Sequence, residues 1–112
     1  MTDNFHRAIL VDELADNGAK GVMINGWPVL LARVDGKYLA VIDRCTHAMS
    51  QLSTGRIRRG IVMCPLHGAR FELVTGICIG QPYRPLRTFE TRIADRWVEV
   101  SVPEEGSGLG DV

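Results

Sequence analysis

Four residues of this chain have the chemistry and the spacing to hold a transition metal: Cys45, His47, Cys64 and His67. They stand in "CTHAMSQLSTGRIRRGIVMCPLHG", residues 45–68, as Cys-x-His and Cys-Pro-x-His with sixteen residues between the two pairs. Thiolate and imidazole suit borderline and soft metals. Two solutions compete for this donor set. One is a single zinc ion bound by both cysteines and both histidines. The other is a two-iron, two-sulfide cluster with the cysteines on one iron and the histidines on the other. Zinc motifs of this kind usually place cysteine with cysteine and histidine with histidine. Here each pair supplies one of each, an arrangement natural for two metals and unnecessary for one. A third chemistry, Cys64 as a nucleophile, would need both nearby histidines to orient and activate it.

The rest of the chain limits what such a centre can serve. A length of 112 residues corresponds to a single domain, 1–112, and 46% apolar residues suffice for one core. Thirteen basic and thirteen acidic residues give no net charge, which argues against a nucleic-acid protein. No apolar stretch approaches the roughly 20 residues that span a bilayer, so no membrane association is expected. The first residues, "MTDNFHRAIL", lack a basic region followed by an apolar run, and no signal peptide is expected. Three cysteines do not make a paired framework, and the expected setting is the reducing cytoplasm.

The elements that must position these ligands read as strands. "KGVMI", "WPVLLARV" and "YLAVID" are separated by Asn25-Gly26 and Asp35-Gly36, dipeptides that favour tight turns at positive φ. "HRAILV" is a further strand, and "DELADNGAK" is compatible with one helical turn. Beyond Asp43 the pattern breaks into short strands at "GRIRR", "GIVMC" and "ARFELV". "LVTGICIGQPYRP" is loop-like, with Pro82 and Pro85 limiting any ladder. "LRTFETRI" and "RWVEVSV" are two more strands joined at Ala94-Asp95, and 103–112 reads as a mobile tail. No segment shows sustained helical periodicity, so the expected fold is all-β, a small sandwich or barrel. Cys78 reads as a small buried apolar residue, and Trp27 and Trp97 as packing residues.

The ligand pattern resembles that of the Rieske iron–sulfur proteins, whose signature is C-x-H, a gap of about 15 to 17 residues, then C-x-x-H. Cys45-Thr46-His47 and Cys64-Pro65-Leu66-His67-Gly68 match it at every required position. "LSTGR", "ARFELVTG" and "QPYRPLRTFETRI" extend the likeness over most of residues 6–102. The resemblance implies a Rieske-like fold whose cluster-binding subdomain is built from two ligand loops and a proline loop. It implies one [2Fe-2S] cluster per chain, with Cys45 and Cys64 on the inner iron and His47 and His67 on the outer. Gly68 would let the chain turn beside the cluster, and the loop of Pro82 would shield it from water.

Departures from the pattern narrow the class. Respiratory members resemble C-T-H-x-x-C and C-P-C-H-G-S-x-Y, with a disulfide between the loops. Here Ser50 and Leu66 occupy the disulfide positions, and Ala69 and Phe71 replace the Ser and Tyr hydroxyls that bond to cluster and ligand sulfur. Losing those bonds lowers the potential. The likeness is therefore to the soluble, low-potential ferredoxins of bacterial aromatic-ring dioxygenase systems. Such a protein takes single electrons from a flavin-dependent NAD(P)H reductase and passes them to a terminal Rieske oxygenase, which would dock near His47 and His67. It would be a monomeric electron carrier and not an enzyme, since no 2-His-1-carboxylate set remains once the cluster ligands are assigned. The alternatives are the small Rieske subunit of an NAD(P)H nitrite reductase and a zinc-stabilised structural or interaction module.

One feature lies outside the signature. From Arg44 to Arg70 there are five arginines and no acid. A solvated surface explains this most simply. A sharper reading is that Arg56, Arg58 and Arg59 steer an acidic partner towards the ligand loops.

Overall fold

The computed structural model describes residues 5–46, 50–66 and 68–103. Within these described residues eleven strands form three antiparallel sheets. The longest is β3 (Trp27–Val34), whose near-continuous apolar run is buried on both faces, as a central strand requires. It pairs with β2 (Ala19–Ile24) and β4 (Lys37–Ile42), and β4 pairs in turn with β9 (Thr88–Phe89). A second sheet holds β1 (Phe5–Leu10), β11 (Trp97–Ser101) and β10 (Thr91–Ala94) in the order β1-β11-β10. In β11 the alternation is clean, with Val98 and Val100 turned inward. Thr91 Oγ1 donates to the Tyr38 carbonyl at 2.7 Å, and the Tyr38 hydroxyl donates to the Val11 carbonyl, which ties the two sheets together.

The third sheet is inserted between β4 and β9. It runs β5 (Arg56–Arg58), β6 (Ile61–Met63), β7 (Arg70–Glu72) and β8 (Cys78–Ile79) in sequence order. Ile57, Val62, Phe71 and Cys78 are register partners across it and form its inner row. Val62 and Phe71 are completely buried there, each burial contributing about 1.5–3 kcal/mol. The insertion returns to its root because β9 pairs with β4, Ala40 opposite Phe89, and because Ile42 N donates to the Arg87 carbonyl at 2.8 Å.

The turns follow from backbone chemistry. Asn25-Gly26 and Asp35-Gly36 take positive φ at both positions, as their composition predicts. Two more turns of this kind carry arginine: Arg59-Gly60 between β5 and β6, and Asp95-Arg96 between β10 and β11. The last turn therefore sits one residue later than the expected Ala94-Asp95.

Other expectations also change. "DELADNGAK" forms hydrogen-bonded turns without a helix; the Glu13 carboxylate accepts from Leu10 N at 2.7 Å and Asn17 sits at φ 65°. "LRTFETRI" is divided between two sheets, β9 and β10, with Glu90 at the corner. The segment read as loop-like contains β8. Pro103, the first residue of the expected tail, accepts a hydrogen bond from Asn25 Nδ2 at 3.2 Å, and 104–112 lie outside the described residues. Among the described residues no helix is long and apolar enough to cross a membrane.

Candidate metal centre

The first ligand loop leaves β4 at Asp43, a carboxylate only 5% exposed. A buried carboxylate must be hydrogen-bonded, and Asp43 accepts from Ser53 N at 2.6 Å, Ser53 Oγ at 2.7 Å and Gln51 Nε2 at 3.2 Å. It thereby anchors the 3₁₀ turn Leu52–Thr54 on the far side of the loop. Its own N–H donates to the Pro28 carbonyl at 2.9 Å, which roots the loop on β3. A Cβ on Gly21 of β2 would fall 2.6 Å from Asp43 Oδ2 and 2.7 Å from Ser53 Oγ, so only glycine lets that strand approach the anchor. Asp43 is the site residue that the motif reading missed. The available signal was an acid at the end of an apolar strand, two residues before the first ligand.

Between these anchors Cys45 N donates to the Ser50 carbonyl at 2.8 Å, closing the loop on itself. The second loop closes in the same way. Cys64 N donates to the Ala69 carbonyl at 2.7 Å, and Gly68 N donates to the Cys64 carbonyl at 3.0 Å. Gly68 has φ 78°, and a Cβ there would touch nothing within 4 Å. Its requirement is therefore conformational, the left-handed backbone that ends the turn.

Both loops meet the proline loop. Thr46 Oγ1 donates to the Arg84 carbonyl at 2.6 Å. Across a cavity of about 170 Å³, Gly68, Ala69 and Arg70 face Ile79, Gln81 and Tyr83. Tyr83 and Leu86 are the inward members of the proline loop, whereas Pro82 and Pro85 face solvent. Within the loop of Pro82 it is Tyr83 and Leu86, not the prolines, that turn towards the core.

Cys45 and Cys64 are 0% and 1% exposed, share one apolar cluster, and are outside any disulfide, as is Cys78. Two buried thiols, each opening a hydrogen-bonded loop, form a donor set that fits a group needing two shielded thiolates. His47 and His67 lie outside the described residues, and among those described no three His, Cys, Asp or Glu side chains converge on one point. Cys78 sits in the inner row of the third sheet opposite Phe71, a packing position. Ala69 and Phe71 bring no hydroxyl to the second loop, and Phe71 is fully buried.

Comparison with known proteins bears on the metal. Residues 4–90 match the family described as the Rieske [2Fe-2S] domain. The chain is 37% identical over 97 residues to the 3-phenylpropionate/cinnamic acid dioxygenase ferredoxin subunit of Photorhabdus laumondii, covering 85% of this chain and 91% of that one. It is 31% identical over 94 residues to the ferredoxin component of the naphthalene 1,2-dioxygenase/salicylate 5-hydroxylase systems of a Ralstonia species, covering 83% and 90%. Its fold superposes on a chain in a complex of reduced oxygenase and oxidised ferredoxin of carbazole 1,9a-dioxygenase with a TM-score of 0.83. That likeness has 26% identity and covers 89% and 94% of the two chains.

Proposed function

This chain belongs to the Rieske [2Fe-2S] domain family, and from that premise we propose that it is a one-electron carrier serving a Rieske non-haem iron oxygenase of the aromatic-ring dioxygenase type. The observation that carries the reading is the pair of buried thiols, Cys45 and Cys64, each at the start of a self-closed loop and outside any disulfide. The family cofactor resolves the choice between zinc and iron in favour of [2Fe-2S]. When bound, it would supply one reversible one-electron couple at a pair of irons of unlike ligation. Cys45 and Cys64 would hold the inner iron, and His47 and His67 the outer.

The chain's own residues set the conditions around those ligands. Phe71, Leu73 and Leu86, all nearly fully buried, exclude water from the core behind the loops. Hydroxyl donors to sulfur stabilise the reduced state, and Ala69 and Phe71 stand where such donors occur in high-potential relatives. The reading is accordingly a potential towards the low end of the Rieske range of about −150 to +300 mV. The structural likeness to a ferredoxin captured with its oxygenase supports a terminal Rieske oxygenase as the acceptor, docking near His47 and His67. The donor in this reading is a flavin-dependent NAD(P)H reductase. Three cysteines outside any disulfide accord with a reducing, cytoplasmic setting.

The test is electron paramagnetic resonance of the purified protein before and after dithionite, with iron and sulfide analysis. A rhombic signal of low average g that appears only on reduction, with about two irons per chain, is the expected result. A colourless, silent protein holding one zinc would overturn the carrier reading.

A further inference from the structure

We propose that the outer face of the β5–β6–β7–β8 sheet is a docking surface for a carboxylate-rich protein partner, with Arg56 and Arg70 as its principal contacts. This rests on the electron-carrier reading and adds the chemistry of the partner's face.

Register defines the surface. Side chains alternate across a sheet, and the row opposite the inward Ile57–Val62–Phe71–Cys78 row consists of Arg56, Met63, Arg70 and Ile79 as cross-strand partners. This row adjoins the second ligand loop, since Met63 precedes Cys64 and Arg70 follows Ala69. Arg56, Arg58, Arg59, Ile61, Met63 and Arg70 line an open groove of about 480 Å³. Met63 is 41% exposed at its centre, and Leu66 in the ligand loop is 56% exposed. An apolar centre with methionine and an arginine rim is the composition of a protein-binding patch.

Charge selects the partner. Residues 44–87 carry seven arginines and one acid, Glu72, a formal +6. The remainder of the chain carries six basic and twelve acidic residues, a formal −6. The molecule is neutral yet strongly polarised, which orients an encounter with an acidic surface. Glu72 shares the outer face, but its carboxylate accepts from Thr75 Oγ1 at 2.9 Å. Among the described residues Arg56, Arg58, Arg59 and Arg70 form no ion pair, so four guanidinium groups of one small sheet are without a carboxylate from this chain.

The turn at Arg59 is an independent sign. Arg59 holds φ 53° in a turn where this chain elsewhere places Asn or Asp first. Side chains other than Asn, Asp and Gly are disfavoured there. Arg96 also occupies positive φ, but it is paired with Asp12. Arg59 has no such pairing among the described residues, so the tight turn between β5 and β6 presents an unpaired guanidinium at the end of this face.

The experiment uses the cluster-loaded protein and fluorescein-labelled hexadecaglutamate, read by fluorescence anisotropy. Binding is expected at about 20 mM salt and should weaken about tenfold or more by about 200 mM. R56Q/R70Q should weaken it about tenfold at low salt, while R96Q, an exposed arginine of the basal sheets, should leave it unchanged. Iron and sulfide content, measured on each variant, verifies that both double and single replacements remain folded and loaded. Equal binding by R56Q/R70Q, equal weakening by R96Q, or tighter binding of labelled dT16 than of the glutamate peptide would overturn the proposal. A loaded, reducible protein that ignores the peptide sinks this surface and spares the carrier reading. Peptide binding through Arg56 and Arg70 by a protein that takes up no iron does the reverse.

Discussion

The two basal sheets and the inserted sheet are built to different specifications. In the base, strands reach eight residues, β3 is buried on both faces, and charges meet in register: Arg92 lies opposite Glu99 and binds it at 2.6 Å. In the insertion no strand exceeds three residues, the arginines of the outer face pair with no described acid, and one turn holds Arg59 at positive φ. Long strands and paired cross-strand charges in the base are how a sequence specifies one stable arrangement, although its β10–β11 turn also holds an arginine, Arg96, at positive φ. The insertion has shorter strands and leaves its outer arginines without a described acid. Asp43 is the joint between the two, bonded to Pro28 on one side and to Ser53 on the other.

This contrast can be broken at graded cost. The largest effect is expected from C64S, which should abolish the visible absorbance and remove about two irons per chain, while far-ultraviolet circular dichroism retains the basal β signal. Next is W27A in the base. Trp27 is 1% exposed, packs edge-on to Phe89 with centroids 5.8 Å apart, and lies beneath the Arg87 guanidinium at 4.7 Å. Its removal should cost about 3–5 kcal/mol in urea unfolding of both apo and loaded protein. D43A should cost about 2–4 kcal/mol, because it leaves Ser53 N and its neighbours buried without an acceptor. It should also accelerate cluster loss in chelator, a readout that W27A at equal stability would move less. R59N should add about 0.5–1 kcal/mol to stability by relieving the turn, and weaken binding of the acidic peptide at the same time. A destabilised R59N would remove the argument from strain.

The smallest effect concerns pH. Glu13 is held below the usual carboxylate range by the Leu10 N–H and then by the Lys20 ammonium. A depressed folded-state value means that this stabilisation is present above the unfolded glutamate pKa and is lost as pH falls through the folded one. E13Q should therefore flatten the acid limb of the unfolding midpoint against pH by slightly lowering the midpoint at neutral pH, while the midpoint at low pH stays nearly unchanged. An unaltered acid limb would assign that limb to other groups.

How far the sequence could be read depends on whether residue type or spacing marks the feature, and this cuts across both regions. Asn25-Gly26 and Asp35-Gly36 announced their turns because those residues tolerate positive φ. Arg59-Gly60 and Asp95-Arg96 do not announce theirs, since arginine is no marker for that conformation, and the second turn lies one residue beyond Ala94-Asp95. The division of "LRTFETRI" at Glu90 is invisible to alternation, because a strand that changes sheets keeps its period. β8 spans only Cys78–Ile79, too short for any periodic signal. The ligand pairs were the plainest feature of all, since metal chemistry restricts both residue type and spacing. What spacing could not convey was the support beneath them: the Asp43 anchor, the close approach of Gly21, and the bond from Thr46 to Arg84.

The pairing of β4 with β9 has a consequence for the order of assembly. β2, β3 and β4 are joined by two-residue turns and can zip together locally within microseconds. β9 must instead find β4 across the whole insertion, and closing a flexible loop of that size costs about 3 kcal/mol. Non-local pairings of this kind set the rate of β folding. The pairing of β1 with β11 spans still more of the chain, so these two closures and not the zipping of β2–β4 should limit the rate, and the arrival of β9 is the one that brings the proline loop over the ligand loops. A nascent chain would complete its basal sheet and roof its metal-binding loops in a single kinetic step.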